Sequence, residues 1–144
     1  MSKYKKFSQK LFNKNDAAAR NAVLNHIDSI GLYAVENDDR YGPDLILYSG
    51  LKPISYIEVE VKRVWSGPDF PWDTIQLPQR KEKFAKLKLS TEFWILNDTL
   101  DHAVIIPDTE LTQDLLKEVR NKFISEGELF FQVPIEKCNL KELG

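Results

Sequence analysis

The stretch Ile57-Glu58-Val59-Glu60-Val61-Lys62-Arg63 decides how this chain reads. Apolar and charged residues alternate strictly, the period-two signature of a β-strand with two unlike faces. Ile57, Val59 and Val61 point to one side, into a core, and Glu58, Glu60 and Lys62 point to the other. An ordinary half-exposed strand, its charges simply in water, would look the same. The surrounding residues supply a second reading.

Fifteen residues lie between Asp44 and Glu60. The aspartate follows Tyr41-Gly42-Pro43 and opens a strand, Asp44 to Tyr48. Ser49-Gly-Leu-Lys-Pro53 is a hairpin-type connection to the strand Ser55 to Val64. Antiparallel pairing lays the start of one strand beside the end of the other, which places Asp44 beside Glu60 and Lys62, subject to register. Two acids and a lysine at one strand end suit a hard cation. Mg²⁺ takes oxygen ligands, keeps several waters and borrows further ligands from a phosphate. A lysine there orients or deprotonates a water, or stabilises charge on the phosphate.

Further out, a helix starts at Asn15 or Asp16 and carries Ala19, Val23, Ile27 and Ile30 at helical spacing up to Gly31. Leu32 to Glu36 reads as a strand and residues 37–43 as a turn. Residues 65–73 form a loop with two prolines and the aromatics Trp65, Phe70 and Trp72. Pro78 opens a helix to Lys88 with Phe84 and Leu87 inward. Thr91 to Leu96 and His102 to Ile106 are strands. Asp108 or Thr109 caps a last helix with Leu111, Leu115, Val119 and Phe123. Gly127 ends it, before a short strand Leu129 to Val133. This order predicts a single α/β domain over residues 1–144: an α/β/α sandwich around a central mixed β-sheet.

Pro43-Asp44, followed on the next strand by Glu60-Val61-Lys62, resembles the signature of the PD-(D/E)XK nuclease superfamily. The order helix, three strands, helix, strand over Asp16 to Leu96 resembles its restriction-endonuclease-like core. The resemblance implies a Mg²⁺-dependent deoxyribonuclease, a phosphodiester hydrolase in which Mn²⁺ also serves. Asp44 and Glu60 would be the metal ligands and Lys62 the catalytic lysine serving the attacking water. The compact chain resembles junction-resolving enzymes, which act as homodimers, and small phage-type and repair nucleases. The partner implied is DNA.

Other residues compete for places at that site. Many members of the superfamily offer an acid from the first helix. Asp16 is the nearest equivalent here, and its plain role is a helix N-cap. Glu36 ends the first strand and is a second candidate. Glu58 shares a face with Glu60, as a third ligand or a solvated neighbour. Gln76 or Gln79 matches a glutamine that some members carry after the lysine strand. Arg63, in the basic segment of residues 62–88, is a candidate nucleic-acid contact. Arg80 and Lys81 suit phosphate contact at a helix start. Trp65, Phe70 and Trp72 either stack on unpaired bases or pack and form a dimer contact.

Composition bounds these readings. The 144 residues carry 20 basic and 22 acidic groups, a net charge of −2. The total does not mark a nucleic-acid binder, but the distribution is uneven. Residues 1–20 hold six bases against Asp16 alone, and residues 62–88 hold seven bases against three acids. From Asp98 onward there are ten acids and five bases. One cysteine, Cys138, excludes an internal disulfide and a cysteine-based zinc site. No apolar run approaches the ~20 residues of a membrane span. No apolar segment follows the basic Met1 to Phe7, so a secretory signal is not expected. The expected setting is the cytoplasm. His26 and His102 lack metal-ligand spacing, and no Gly-rich phosphate loop or nucleophilic serine motif occurs. Two other readings stay open: a catalytically inactive nucleic-acid-binding or assembly module of the same fold, and a domain whose charges share no purpose.

Overall fold

The computed structural model describes residues 17–121 and 124–144. Helix α1 covers residues 17–29 and buries Ala19, Val23 and Ile27, one residue per turn on one face. Gly31, at φ +83°, ends it. The Leu32 N–H donates to the Ile27 carbonyl at 3.2 Å and the Gly31 N–H to Asp28 at 3.2 Å, so two orphan carbonyls are satisfied.

Six strands form the main sheet: β1 (Tyr33–Glu36), β2 (Leu45–Ser49), β3 (Lys52–Val61), β5 (Thr91–Leu96), β6 (His102–Pro107) and β9 (Asn139–Glu142), in the spatial order β1-β2-β3-β5-β6-β9. β3 and β5 run parallel and every other neighbouring pair antiparallel, so the sheet is mixed as expected. A smaller antiparallel sheet orders β4 (Thr74–Pro78), β8 (Ile124–Pro134) and β7 (Leu116–Asn121). A 3-10 helix, Gln79–Lys86, links β4 to the segment before β5.

The apolar run of β5 explains its central place. Trp94 and Leu96 enter the core beneath α1, with Leu45, Leu47, Ile57 and Val59. Phe93 and Ile95 enter a second core, with Trp65, Ile75, Leu77, Phe84, Phe131 and Val133. A strand buried on both faces needs apolar residues at every position. Each fully buried Ile, Leu or Phe contributes about 1.5–3 kcal/mol, so both faces of the sheet are held firmly.

Helix α1 and strands β1 to β3 follow in the expected order; β4 then intervenes before the 3-10 segment and the parallel strand β5. The second face is covered differently from expectation. The helix expected from Asp108 to Phe123 is not formed. Residues Asp108–Glu110 and Gln113–Leu115 make short 3-10 turns, and Leu116–Asn121 is strand β7; Phe123 lies outside the described residues. Pairing with β8, Leu116 opposite Phe131, overrides the helical spacing of Leu111, Leu115 and Val119. Asp108 caps no α-helix; its carboxylate accepts the Thr91 N–H at 2.8 Å. Gly127, expected to end that helix, lies inside β8 at φ +79°. The helix expected from Pro78 to Lys88 is the 3-10 segment alone: Pro78 closes β4, and Leu87 is exposed where it was expected inward. No helix among the described residues is long and apolar enough to cross a membrane.

Candidate active site

The β2–β3 hairpin sets the geometry. It turns through Gly50 and Leu51, Gly50 at φ +61°, with Ser49 paired to Lys52. β3 therefore begins and ends three residues earlier than the sequence suggested. A register shift at Leu47/Tyr48 follows, and Leu45 faces Ile57. The ladder thus sets Asp44 beside Glu58 rather than beside Glu60.

Contacts confirm this placement. Asp44 Oδ2 accepts the Val59 N–H at 2.8 Å, and the Asp44 N–H donates to Glu58 Oε1 at 3.2 Å. Glu58 is 7% exposed, so it is no solvated neighbour. Lys81, on the 3-10 helix, lies above the strand face. Its Nζ donates to Glu58 Oε2 at 2.6 Å and stands 3.0 Å from Glu60 Oε1. Asp44, Glu58, Glu60 and Lys81 therefore form one connected cluster, with Glu60 its most open carboxylate.

Burial, then the Asp44 charge, pushes the Glu58 carboxyl up to about 7, and Lys81 only partly offsets this. Burial presses the Lys81 ammonium down, but the Glu60 and Glu58 charges outweigh it and its pKa rises. Glu58 is thus easier to protonate folded than at its ordinary 4.5. Its contribution to stability is complete below about pH 4.5 and is lost as pH rises through about 7. Without divalent cations, the wild type is expected to lose on the order of 2 kcal/mol, several degrees in Tm, between pH 5 and pH 8 relative to Glu58→Gln. Thermal unfolding of both proteins in EDTA checks it; parallel pH profiles would refute it.

Lys62 stands apart from this cluster. It follows the end of β3, its N–H donates to the Leu96 carbonyl at 2.8 Å, and its Nζ lies 5.2 Å from the centroid of the Trp72 ring. No ion pair among the described residues involves it. The aromatic loop beside it is packed in series. Trp65 is fully buried and donates Nε1–H to the Asp69 carbonyl; Phe70 meets it edge-on, and Trp72 meets Phe70. Packing therefore accounts for Trp65 and Phe70, while Trp72, 39% exposed, carries Lys62. Buried Asn97 pins the loop by donating to the Gly67 carbonyl at 2.9 Å.

The remaining candidates lie elsewhere. Asp16 lies outside the described residues. Glu36 is exposed and pairs with Arg20 of α1 at 3.3 Å, on the helix side of the sheet. Gln76 is exposed on β4 and Gln79 half-buried at the start of the 3-10 helix; neither hydrogen-bonds to the acids among the described residues. Arg80 pairs with Glu128 at 2.7 Å. Arg63 is exposed at a shallow cavity with Val61, Asp98 and Leu100. Lys81, expected beside Arg80 for phosphate contact, is turned inward onto the acids. Its pairing with Glu58 escaped the sequence reading, since no spacing rule links residues 23 apart.

No set of three His, Cys, Asp or Glu side chains among the described residues forms a ready metal cage. The donor chemistry still fits Mg²⁺, which needs only one or two carboxylates and keeps its waters. Asp44 and Glu58 face each other across the hairpin, and their mutual repulsion is what a cation relieves.

No protein-family model and no curated protein matches the chain. Among solved structures, it superposes on Hjc of Archaeoglobus fulgidus, a Holliday junction resolvase from an archaeal hyperthermophile, with a TM-score of 0.49 and 12% identity over 81% of this chain and 82% of that one.

Proposed function

We propose that this chain is a divalent-metal-dependent deoxyribonuclease of the PD-(D/E)XK type. One observation carries the reading: Asp44, Glu58 and Glu60 converge with Lys81 where β2 begins and β3 ends, on a rigid central sheet. Asp44 and Glu58 would hold Mg²⁺, which needs only one or two carboxylates and keeps its waters. A cation bound there supplies a water acidic enough to attack at neutral pH and offsets charge on the phosphate. The residues of the chain do the rest. Lys81 holds Glu58 and Glu60 in place and keeps the site from being an uncompensated pocket of negative charge. Glu60, the open carboxylate, accepts the proton of the attacking water. Lys62, on the solvent side, meets the phosphate or steers that water, and Trp72 limits its wandering. In the hydrolysis, water oxygen bonds to phosphorus, one P–O ester bond breaks, and the leaving oxygen takes up a proton.

The inactive binding module of the same fold is favoured by one fact: Lys81 already neutralises Glu58 and Glu60, as a cation would. Labelled duplex, single-stranded, flap and four-way-junction DNA, each with Mg²⁺, Mn²⁺ or EDTA, separates the two. Cutting is expected with either metal and not with EDTA. Lys62→Ala is expected to slow it about 10–100-fold, with Tm within a degree or so, since its ammonium pairs with no acid among the described residues. No cutting of any substrate by folded protein would leave the binding module as the function.

A further inference from the structure

Beside the acid cluster lies a cavity of about 290 Å³ that none of the steps above uses. Asn37, Tyr41 and Pro43 line one side of it, and Tyr56, Lys83 and Phe84 the other. We infer that this cavity receives an unpaired nucleotide of the DNA strand whose neighbouring phosphate lies at the acid cluster. The inference rests on the nuclease reading for the choice of DNA.

Three observations support it. The cavity and the cluster are contiguous: Pro43 lines one and Asp44 belongs to the other. Lys81 Nζ, bonded to Glu58, stands 5.7 Å from the centroid of the Phe84 ring that lines the cavity. A nucleotide there is therefore next to any phosphate at Glu58 and Glu60.

The walls have the chemistry of a base site, in which an unpaired base stacks on aromatic faces while cations meet the backbone. Tyr41 is 77% exposed at the rim, with the Arg40 guanidinium carbon 5.4 Å from its ring centroid. Tyr56 and Phe84 add two more rings. Lys83 Nζ lies 5.0 Å from the Phe84 ring centroid. Lys83 also borders a groove lined by Arg80, Lys86, Glu82 and Glu128, in which Arg80 is paired with Glu128, so Lys83 and Lys86 are the cations that a strand leaving the cavity meets there.

The rim is also preformed. Asn37 Nδ2–H donates to the Pro43 carbonyl at 3.0 Å, and Asn37 Oδ1 accepts the Asp39 N–H at 3.1 Å. Asp39 Oδ1 accepts the Tyr41 N–H at 3.0 Å, and the Asn37 N–H reaches the Asp44 carbonyl at 2.9 Å. Gly42 permits this closed loop, because a Cβ there would come within 2.8 Å of Asn37 Nδ2. A rim tied to its own backbone loses little freedom when a ligand binds.

A single extruded base enters such a pocket, and a base already unpaired enters without the unstacking cost. The site therefore favours DNA carrying an unpaired nucleotide over a continuous duplex.

The test measures two ratios with one set of oligonucleotides: a continuous duplex, the same duplex with one bulged nucleotide, and the single strand. Binding by fluorescence anisotropy in EDTA gives the first ratio, and cutting in Mg²⁺ the second. Wild type is expected to prefer the bulged duplex about tenfold over the continuous one. Tyr41→Ala and Lys83→Ala, both at exposed positions, are expected to bring that ratio within about twofold. Equal losses on both duplexes, or no wild-type preference, would overturn the inference. A tenfold binding preference without cutting keeps the cavity and removes the nuclease reading. Cutting without preference keeps the nuclease and removes the cavity.

Discussion

Asp44→Asn is expected to lower metal-dependent DNA cutting by about 10²–10³-fold while the protein stays folded. The loss follows from charge. Asn retains an oxygen at the same place but removes the anion that faces Glu58 across the hairpin, and several kcal/mol of cation-borne charge stabilisation correspond to two or three decades in rate. The choice of Asn matters. Asp44 Oδ2 accepts the buried Val59 N–H at 2.8 Å. Alanine would leave that donor without a partner, a cost of about 1–3 kcal/mol, and would confuse lost chemistry with lost fold. Single-turnover cutting with Tm measured in parallel checks it. Wild-type rates in Asp44→Asn would remove Asp44 from the site; a lost rate with a collapsed Tm would assign it to the fold instead.

Lys81→Met is expected to cost the most stability of any single change at the site. Met keeps most of the side-chain volume and removes the ammonium held by Glu58 at 2.6 Å and Glu60 at 3.0 Å. Breaking a buried pair by removing one partner costs about 3–5 kcal/mol, because the remaining charge is left uncompensated. For a chain of this size that is roughly 10 °C or more in Tm at pH 8. The loss is expected to shrink towards pH 5, where Glu58, already pushed up to about 7, takes up a proton. Added Mg²⁺ or Mn²⁺ is expected to raise the Tm of Lys81→Met more than that of the wild type, since a cation then fills the ammonium's electrostatic role. Calorimetry at both pH values, with and without metal, reads this directly. A uniform Tm loss, insensitive to pH and metal, would reduce Lys81 to a packing residue.

These two residues show how differently parts of the site can be read. Glu58 and Glu60 are legible because strand alternation places charges on one face, and Asp44 because hairpin pairing lays the start of one strand beside the end of the next. Lys81 reads from the sequence only as a phosphate contact beside Arg80 at a helix start. Its role depends on how the chain between β3 and β5 crosses back over the sheet, and that crossing is governed by β4 joining a sheet whose other strands come from beyond residue 115. Lys62 follows the end of β3, with its Nζ 5.2 Å from the centroid of the Trp72 ring.

The same division runs through the fold. Short-range physics sufficed for α1, where apolar residues recurring on one face and a glycine stop define a helix. It sufficed for β2, β3 and β5, whose alternation or continuous apolar character follows from burial on one face or both. It failed from Asp108 to Asn121, where spacing compatible with a helix became two 3-10 turns and a strand. There, β8 offered a full antiparallel ladder and a buried Phe131 to pack against. The residue types at the site, the faces they occupy and the order of the core elements were determined by the sequence alone, because each depends on neighbours within a few residues. The pairing of Asp44 with Glu58, the lysine between the acids and the cavity beside them were decided by tertiary structure, because each depends on register and on segments that meet only after the chain has folded back on itself.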